Sequence, residues 1–135
     1  EGVIAEVLLF LWGDKIVKRV GAARLIALAG LAGLIRWWGT GVTDELPALL
    51  FLQILHGATF GAAHLGAIHF IAQRMEASVS ATAQSVYAAA VSGIGFSLAS
   101  LVSGHMYATQ GGAAYLPMAV MAGIGGVIAF QLRRR

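Results

Sequence analysis

The chain alternates long apolar stretches with short polar interruptions. Apolar residues run from Val3 to Trp12, from about Leu25 to Gly41, from about Pro47 to Ala72, from about Val79 to Tyr107, and from about Ala113 to Gln131. Within each stretch they surround the helical wheel instead of forming one stripe, the pattern of helices that sit in protein or lipid. At 1.5 Å per residue the last four can cross a hydrocarbon core of about 30 Å, allowing for tilt. The first has ten residues and would rise only about 15 Å. It opens on Glu1 with no basic flank, unlike a secretory signal, which carries positive charge ahead of its apolar run. It reads as the second half of a spanning helix, so residues 1–135 are expected to be one transmembrane domain cut from a longer protein.

The interruptions hold helix-stopping residues. Gly13-Asp14-Lys15 closes the first stretch, and Asp44 and Glu45 lie between Gly39 and Pro47. Gln73-Arg74-Met75-Glu76 and Gln110-Gly111-Gly112 supply the other two breaks. Pro47 suits the first turn of a helix, where its missing N–H is not needed, and Pro117 is placed the same way.

Composition narrows the class. Apolar residues make up 59% of the chain and charged residues 11%, with a mean hydropathy of +0.80. Soluble domains carry about 45–50% and about 25%. The predicted fold is therefore all-α, a polytopic membrane helix bundle with the lipid bilayer as solvent. The chain has no cysteine, which removes disulfides and thiolate chemistry. The pI of about 9.8 does not imply nucleic acid, because the basic residues gather where the apolar stretches end. Lys15, Lys18, Arg19 and Arg24 flank the first connection, Arg74 lies in the third, and Arg133, Arg134 and Arg135 follow the last helix. The second and fourth connections hold no lysine or arginine. The positive-inside rule then predicts that these eight residues and the C-terminus are cytoplasmic, in the cell (inner) membrane.

The ninth basic residue, Arg36, stands apart. It lies well inside the second stretch, in Leu34-Ile35-Arg36-Trp37-Trp38. A charge at that depth costs several kcal/mol unless it meets water or a partner. Arg36 either snorkels outward beside a belt of Trp37 and Trp38, or faces a cavity where it binds an anion or steadies a carboxylate. Glu6 is the acidic residue placed well inside an apolar stretch and is the candidate partner.

The third stretch concentrates polar residues: Gln53, His56, Thr59, His64 and His69. Ideal α-helical geometry puts Gln53, His56, Thr59 and Phe60 on one face, with His64 about 80° round from His56. Histidine can pass a proton along a membrane cavity, or simply bond a neighbouring helix. A metal site is not expected, since these spacings do not stack ligands and no carboxylate completes a set. No cofactor and no enzymatic activity are expected either, as no nucleophile–base set appears. Gly57 and Gly61 form a GxxxG, and Ser92, Gly93, Gly95, Ser97, Ser100, Ser103 and Gly104 crowd the fourth stretch. Both predict close helix packing. Gln84 and Tyr87 in the fourth stretch could line a path.

The segments Gly2-Val3-Ile4-Ala5-Glu6-Val7, Lys18-Arg19-Val20-Gly21-Ala22, Ile35-Arg36-Trp37, Leu55-His56-Gly57-Ala58-Thr59-Phe60, His64-Leu65-Gly66-Ala67 and Ser80-Ala81-Thr82-Ala83-Gln84 carry a resemblance. Together they resemble the C-terminal half of a major facilitator superfamily transporter, of the phenylpropionate-permease/lactose-permease-like proton-symporter branch. The resemblance implies about helices 8 to 12 of a twelve-helix fold, whose missing N-terminal half would be a partner in the full protein. It also implies alternating access. In lactose permease an arginine of the ninth helix and a histidine of the tenth fall on Arg36 and His56. A lysine and a glutamate one turn either side of that histidine fall on Gln53 and Thr59, and the eighth-helix carboxylate is matched, about one turn displaced, by Glu6. The implied function is proton-coupled symport of a small organic solute such as an aromatic or aliphatic carboxylate. Arg36, Glu6, His56, Thr59 and Gln53 would bind substrate, and Glu6, His56 and His64 would carry protons. A sugar, oligosaccharide or nucleoside symporter on the same fold is the alternative, and a non-transporting membrane module a further one.

Overall fold

The computed structural model describes residues 2–132, and every regular element there is helical. Glu1 and Arg133, Arg134 and Arg135 lie outside the described residues. The elements are α1 (Gly2–Leu11), α2 (Gly13–Val20), α3 (Ala22–Val42), α4 (Leu46–His56), α5 (Ala63–Arg74), α6 (Ala77–Ala88), α7 (Phe96–Gln110) and α8 (Leu116–Leu132). A π-helical segment, Gly57–Ala62, joins α4 to α5, and a second, Ala89–Gly95, joins α6 to α7. A 3₁₀ turn, Gly111–Tyr115, leads into α8.

Three helical runs are long and apolar enough to cross a membrane: Ala22–Val42, Leu46–Arg74 and Ala77–Leu132. The last has 56 residues, far more than one bilayer requires. It breaks at Gly111, whose φ of 58° is a conformation open to glycine. Tyr107 and Tyr115 meet edge to face across this break, 6.1 Å between centroids. From there α8 runs antiparallel along α3, so that Leu116 lies by Gly41, Ala122 by Gly33 and Gly126 by Gly30. The α4–α5 rod lies antiparallel on a neighbouring face of α3, with Leu52 by Gly39 and Gly66 by Ile26. Helix α1 runs parallel to that rod, its Ala5 against Gly57 and its Glu6 and Leu9 against Gly61.

Two boundaries differ from the sequence reading. The Gly13-Asp14-Lys15 interruption does not end helical structure, because the chain enters α2 at once. There Ile16 and Val17 alternate with Lys15, Lys18 and Arg19, and the apolar side packs inward with Val17 buried. The second stretch starts at Ala22 instead of Leu25, directly after Gly21 at φ 90°. Pro47 and Pro117 are each the second residue of their helices, where no backbone donor is lost.

Burial follows membrane rules. The buried apolar residues are mostly alanine (Ala22, Ala29, Ala62, Ala114, Ala119 and Ala129), while Leu, Ile, Val and Phe side chains crowd the outside. Apolar side chains gain little by leaving lipid for one another, so helices hold together where small residues let backbones approach. Gly57 and Gly61 do this against α1. The small residues of α6–α7 do not: a Cβ on Gly93 or Gly104 would meet nothing within 4 Å. That rod touches the rest of the bundle near its start, through α5, and at its end, through the 3₁₀ turn.

The tightest crossing gives a stability test. A Cβ on Gly30 would lie 2.7 Å from the Gly126 amide nitrogen and 2.8 Å from the Ala122 carbonyl oxygen, both rigid backbone. Gly30→Ala is expected to force α3 and α8 apart and to cost about 1–3 kcal/mol, the usual range for overpacking. Gly125→Ala, where the added Cβ meets nothing within 4 Å, serves as the control. Thermal unfolding in detergent should separate the two variants, and equal melting temperatures would refute the close-packing account.

Candidate functional site

Arg36 is turned inward. Its residue is 9% exposed despite the charge, which excludes snorkelling to the surface. The helical register of α3 aims it at the α4–α5 rod, where Nη2 donates to Gln53 Oε1 of α4 at 3.0 Å and Nη1 donates to Thr59 Oγ1 of the π segment at 3.3 Å. The guanidinium also lies over the Trp37 ring, 4.3 Å from its centroid. Trp37 is fixed in turn by stacking on Tyr115 at 5.6 Å. The Thr40 hydroxyl donates to the Arg36 carbonyl oxygen at 2.8 Å, adding a second bond to an acceptor of the helix ladder. Thus two neutral oxygens and an aromatic face solvate the cation, and among the described residues no carboxylate lies within ion-pair distance of it.

Glu6 faces another residue. Its Oε2 is 3.9 Å from His56 Nε2, within ion-pair reach of an imidazolium but too long for a hydrogen bond. Glycines make this meeting possible: Gly57 and Gly61 let α1 sit against the α4–α5 rod. A Cβ on Gly2 would fall 2.8 Å from the His56 side chain, so that glycine also leaves room for the ring. His56 Nδ1 is buried with no hydrogen-bond partner. A buried ring nitrogen left open in this way is uncommon. Thr59 connects the two halves of the site, because its hydroxyl accepts from Arg36 and donates to the His56 carbonyl oxygen at 3.1 Å.

His64 does not sit where ideal α geometry puts it. Its ring stacks on Phe60 at 6.1 Å with 4° between planes, and Phe60 stacks on His56 at 5.8 Å with 2°. The cause is the π-helical segment Gly57–Ala62, which lies between the two histidines. A π turn takes in an extra residue and underwinds the helix, so positions 56, 60 and 64 come round to one column. Tyr87 of α6 continues the column across the helix interface, 5.9 Å from His64 and tilted by 32°. Gln84, one turn earlier, is taken up locally by Ser80 at 3.3 Å.

His69 belongs elsewhere. Its Nδ1 is 2.9 Å from the Leu65 carbonyl oxygen and its Nε2 is 3.4 Å from Asp14 Oδ1, tying α5 to α2 near the basic end of the bundle. The structure therefore groups Arg36, Gln53 and Thr59 as one cluster and Glu6, His56 and His64 as a second. Arg36 and Glu6 are not paired. Phe60 and Trp37 were visible in the sequence as an apolar neighbour and a belt residue. Their roles as the link of the ring column and the platform under Arg36 depend on the π turn and on Tyr115, which no local spacing reveals.

Comparisons with known proteins identify the family of this sequence. The MFS_1 like family matches residues 1–116. The chain is 34% identical over 121 residues to the probable 3-phenylpropionic acid transporter of Escherichia coli (strain K12), covering 90% of this chain and 32% of that protein. It is 27% identical over 123 residues to the maltose permease of Geobacillus stearothermophilus, covering 90% of this chain and 31% of that one. The chain thus spans about a third of the length of the curated relatives it matches. No solved structure gives a significant match. With a family match over residues 1–116 and a wholly helical, lipid-suited fold beneath it, the chain belongs to the MFS_1-like family of the major facilitator superfamily.

Proposed function

We propose that this chain is the C-terminal part of a secondary transporter that carries a small carboxylate, aromatic or aliphatic, together with a proton. The observation that carries the reading is Arg36, an inward-facing guanidinium held by neutral oxygens and left without a counter-ion among the described residues. Gln53 and Thr59 fix its fork while leaving its charge uncancelled, and a substrate carboxylate is the natural group to complete it. The neighbouring Glu6–His56 pair supplies protonatable groups, with the open His56 Nδ1 and the stacked His64 beyond it. A proton taken up with a monocarboxylate cancels its charge. That removes the opposition of an inside-negative potential, about 2.3 kcal/mol per 100 mV and so roughly fiftyfold in concentration.

In this reading the basic end of the bundle faces the cytoplasm of a cell membrane and the N-terminal half of the transporter completes the cavity. A non-transporting membrane module would leave Arg36 among lipid headgroups and Glu6 without a polar partner, and the geometry around both residues argues otherwise. A sugar symporter remains the second reading because a maltose permease is among the relatives.

Thermal protection of the full-length protein distinguishes the two. Aromatic and aliphatic carboxylates should raise its melting temperature and maltose-type sugars should not. Arg36→Gln should weaken carboxylate binding roughly ten- to hundredfold, the worth of a hydrogen bond to a charged group. Protection by sugars that survives Arg36→Gln would favour the second reading.

Coupling has its own test. Uptake by the full-length protein carrying Glu6→Gln or His56→Asn should lose accumulation against a gradient while exchange of substrate across the membrane continues. If both variants still concentrate substrate, these residues do not carry the proton.

A further inference from the structure

Lys18, Arg19, Arg24 and Arg74 come together at one end of the bundle around a cavity of about 370 Å³. They arrive from different elements: Lys18 and Arg19 end α2, Arg24 lies in the first turn of α3, and Arg74 closes α5. No aspartate or glutamate is among the lining residues. Four cations sharing a cavity without a carboxylate repel one another, and an anion of multiple acceptor oxygens would relieve that repulsion. The amino end of α3 opens here as well, with no side chain capping it at Gly21, and adds its dipole in the same sense.

A second cavity adjoins the first. A groove of about 700 Å³ runs along the outside of the α3–α8 seam, past Leu28, Leu31, Leu34 and Val127. Val20 and Arg24 line both cavities, so the apolar groove leads directly into the basic one. Its walls reach the lipid side, since Leu28, Leu31 and Val127 are all more than half exposed. The groove exists because Gly123 and Gly126 leave α8 without side chains opposite Leu34 and Gly30.

The geometry points to a bound anionic glycerophospholipid, its phosphate among Lys18, Arg19, Arg24 and Arg74 and one acyl chain along the α3–α8 groove. A free phosphate would use the basic cavity and ignore the groove. A zwitterionic lipid would use the groove but brings a compensating ammonium to the cations. Only a molecule that joins a net negative head to a long apolar tail uses both. Basic pockets between transmembrane helices at the cytoplasmic side take such headgroups, so the leaflet assigned here rests on the orientation proposed above. The site lies apart from Arg36 and Glu6, and its occupancy can be read without measuring transport.

Native mass spectrometry of the full-length protein, delipidated and then mixed with phosphatidylglycerol or phosphatidylethanolamine of matched chains, tests the assignment. Phosphatidylglycerol should be retained at least fivefold more strongly. Arg24→Gln should lower its retention about fivefold, and Arg24→Gln with Arg74→Gln about twenty-five-fold, at one such factor per surface charge. Phosphatidylethanolamine retention should not change, and Arg24→Lys should keep phosphatidylglycerol bound. Equal retention of the two lipids by the unaltered protein would overturn the proposal, whatever the variants do. Displacement of phosphatidylglycerol by millimolar inorganic phosphate would overturn it too, in favour of a free-anion site. Loss of transport in the Glu6 or His56 variants with lipid retention intact would leave this site standing independently of the transport reading.

Discussion

In hydrocarbon the association of helices is driven by close atomic contact and by polar groups that find each other, since a leucine is as well solvated by lipid as by a neighbouring leucine. The bundle is built to that constraint. Its interior is mostly alanine and glycine, its exterior is large and branched, and backbones touch at Gly30–Gly126 and at Gly57–Ala5. Where such contact is made, polar side chains are carried to within reach of one another. Glu6 reaches His56 because α1 lies flush on Gly57 and Gly61, and Arg36 reaches Gln53 because Leu52 closes onto Gly39. The groove along α3–α8 is the outer side of the same economy of volume: glycines that let backbones meet also leave a channel beside them.

Arg36 shows how a charge is tolerated in this setting without being neutralised. Each fork nitrogen that bonds a protein atom does so to an uncharged oxygen, and Trp37 offers its ring face below. A carboxylate partner in their place would have cancelled the charge of the guanidinium. Glu6 is kept away from the arginine by its contact with His56, with Thr59 standing between the two clusters. This division keeps the arginine's charge and the Glu6–His56 pair near each other without letting them cancel.

Much of this was legible in the sequence. Unbroken apolar stretches and one-sided basic loops gave the helical membrane bundle, and a lone arginine among apolar residues marked Arg36. The Gln53–Thr59 face followed from helical spacing alone. The parts that were not legible share a physical cause, departure from the ideal α-helix or dependence on distant contacts. A wheel with 3.6 residues per turn cannot place His64 correctly when six residues before it are wound as a π-helix. Nothing in Gly57-Ala58-Thr59-Phe60-Gly61-Ala62 announces that winding, although its small residues tolerate it. The glycines and serines of α6–α7 face no other helix closely among the described residues, because composition records what a surface permits and not what lies opposite it. The helix in Gly13–Val20 was hidden by reading glycine, aspartate and lysine as a stop, when the amphipathic residues after them carry the turn onward.

The π segment between α4 and α5 also sets the phase of everything after it. Removing one residue anywhere from 57 to 62 would let the rod relax to continuous α-helix with its length almost unchanged. The π turn takes its extra residue into about the same rotation and rise, so α5 would keep nearly its present azimuth and Gly66 would stay against Ile26. Adding a residue has no such slack. Each residue in an α-helix advances the azimuth by about 100°, and the twelve residues of α5 would turn by that amount away from their partners. Tolerance of this stretch to a change in length should therefore be one-sided, admitting a loss and resisting a gain.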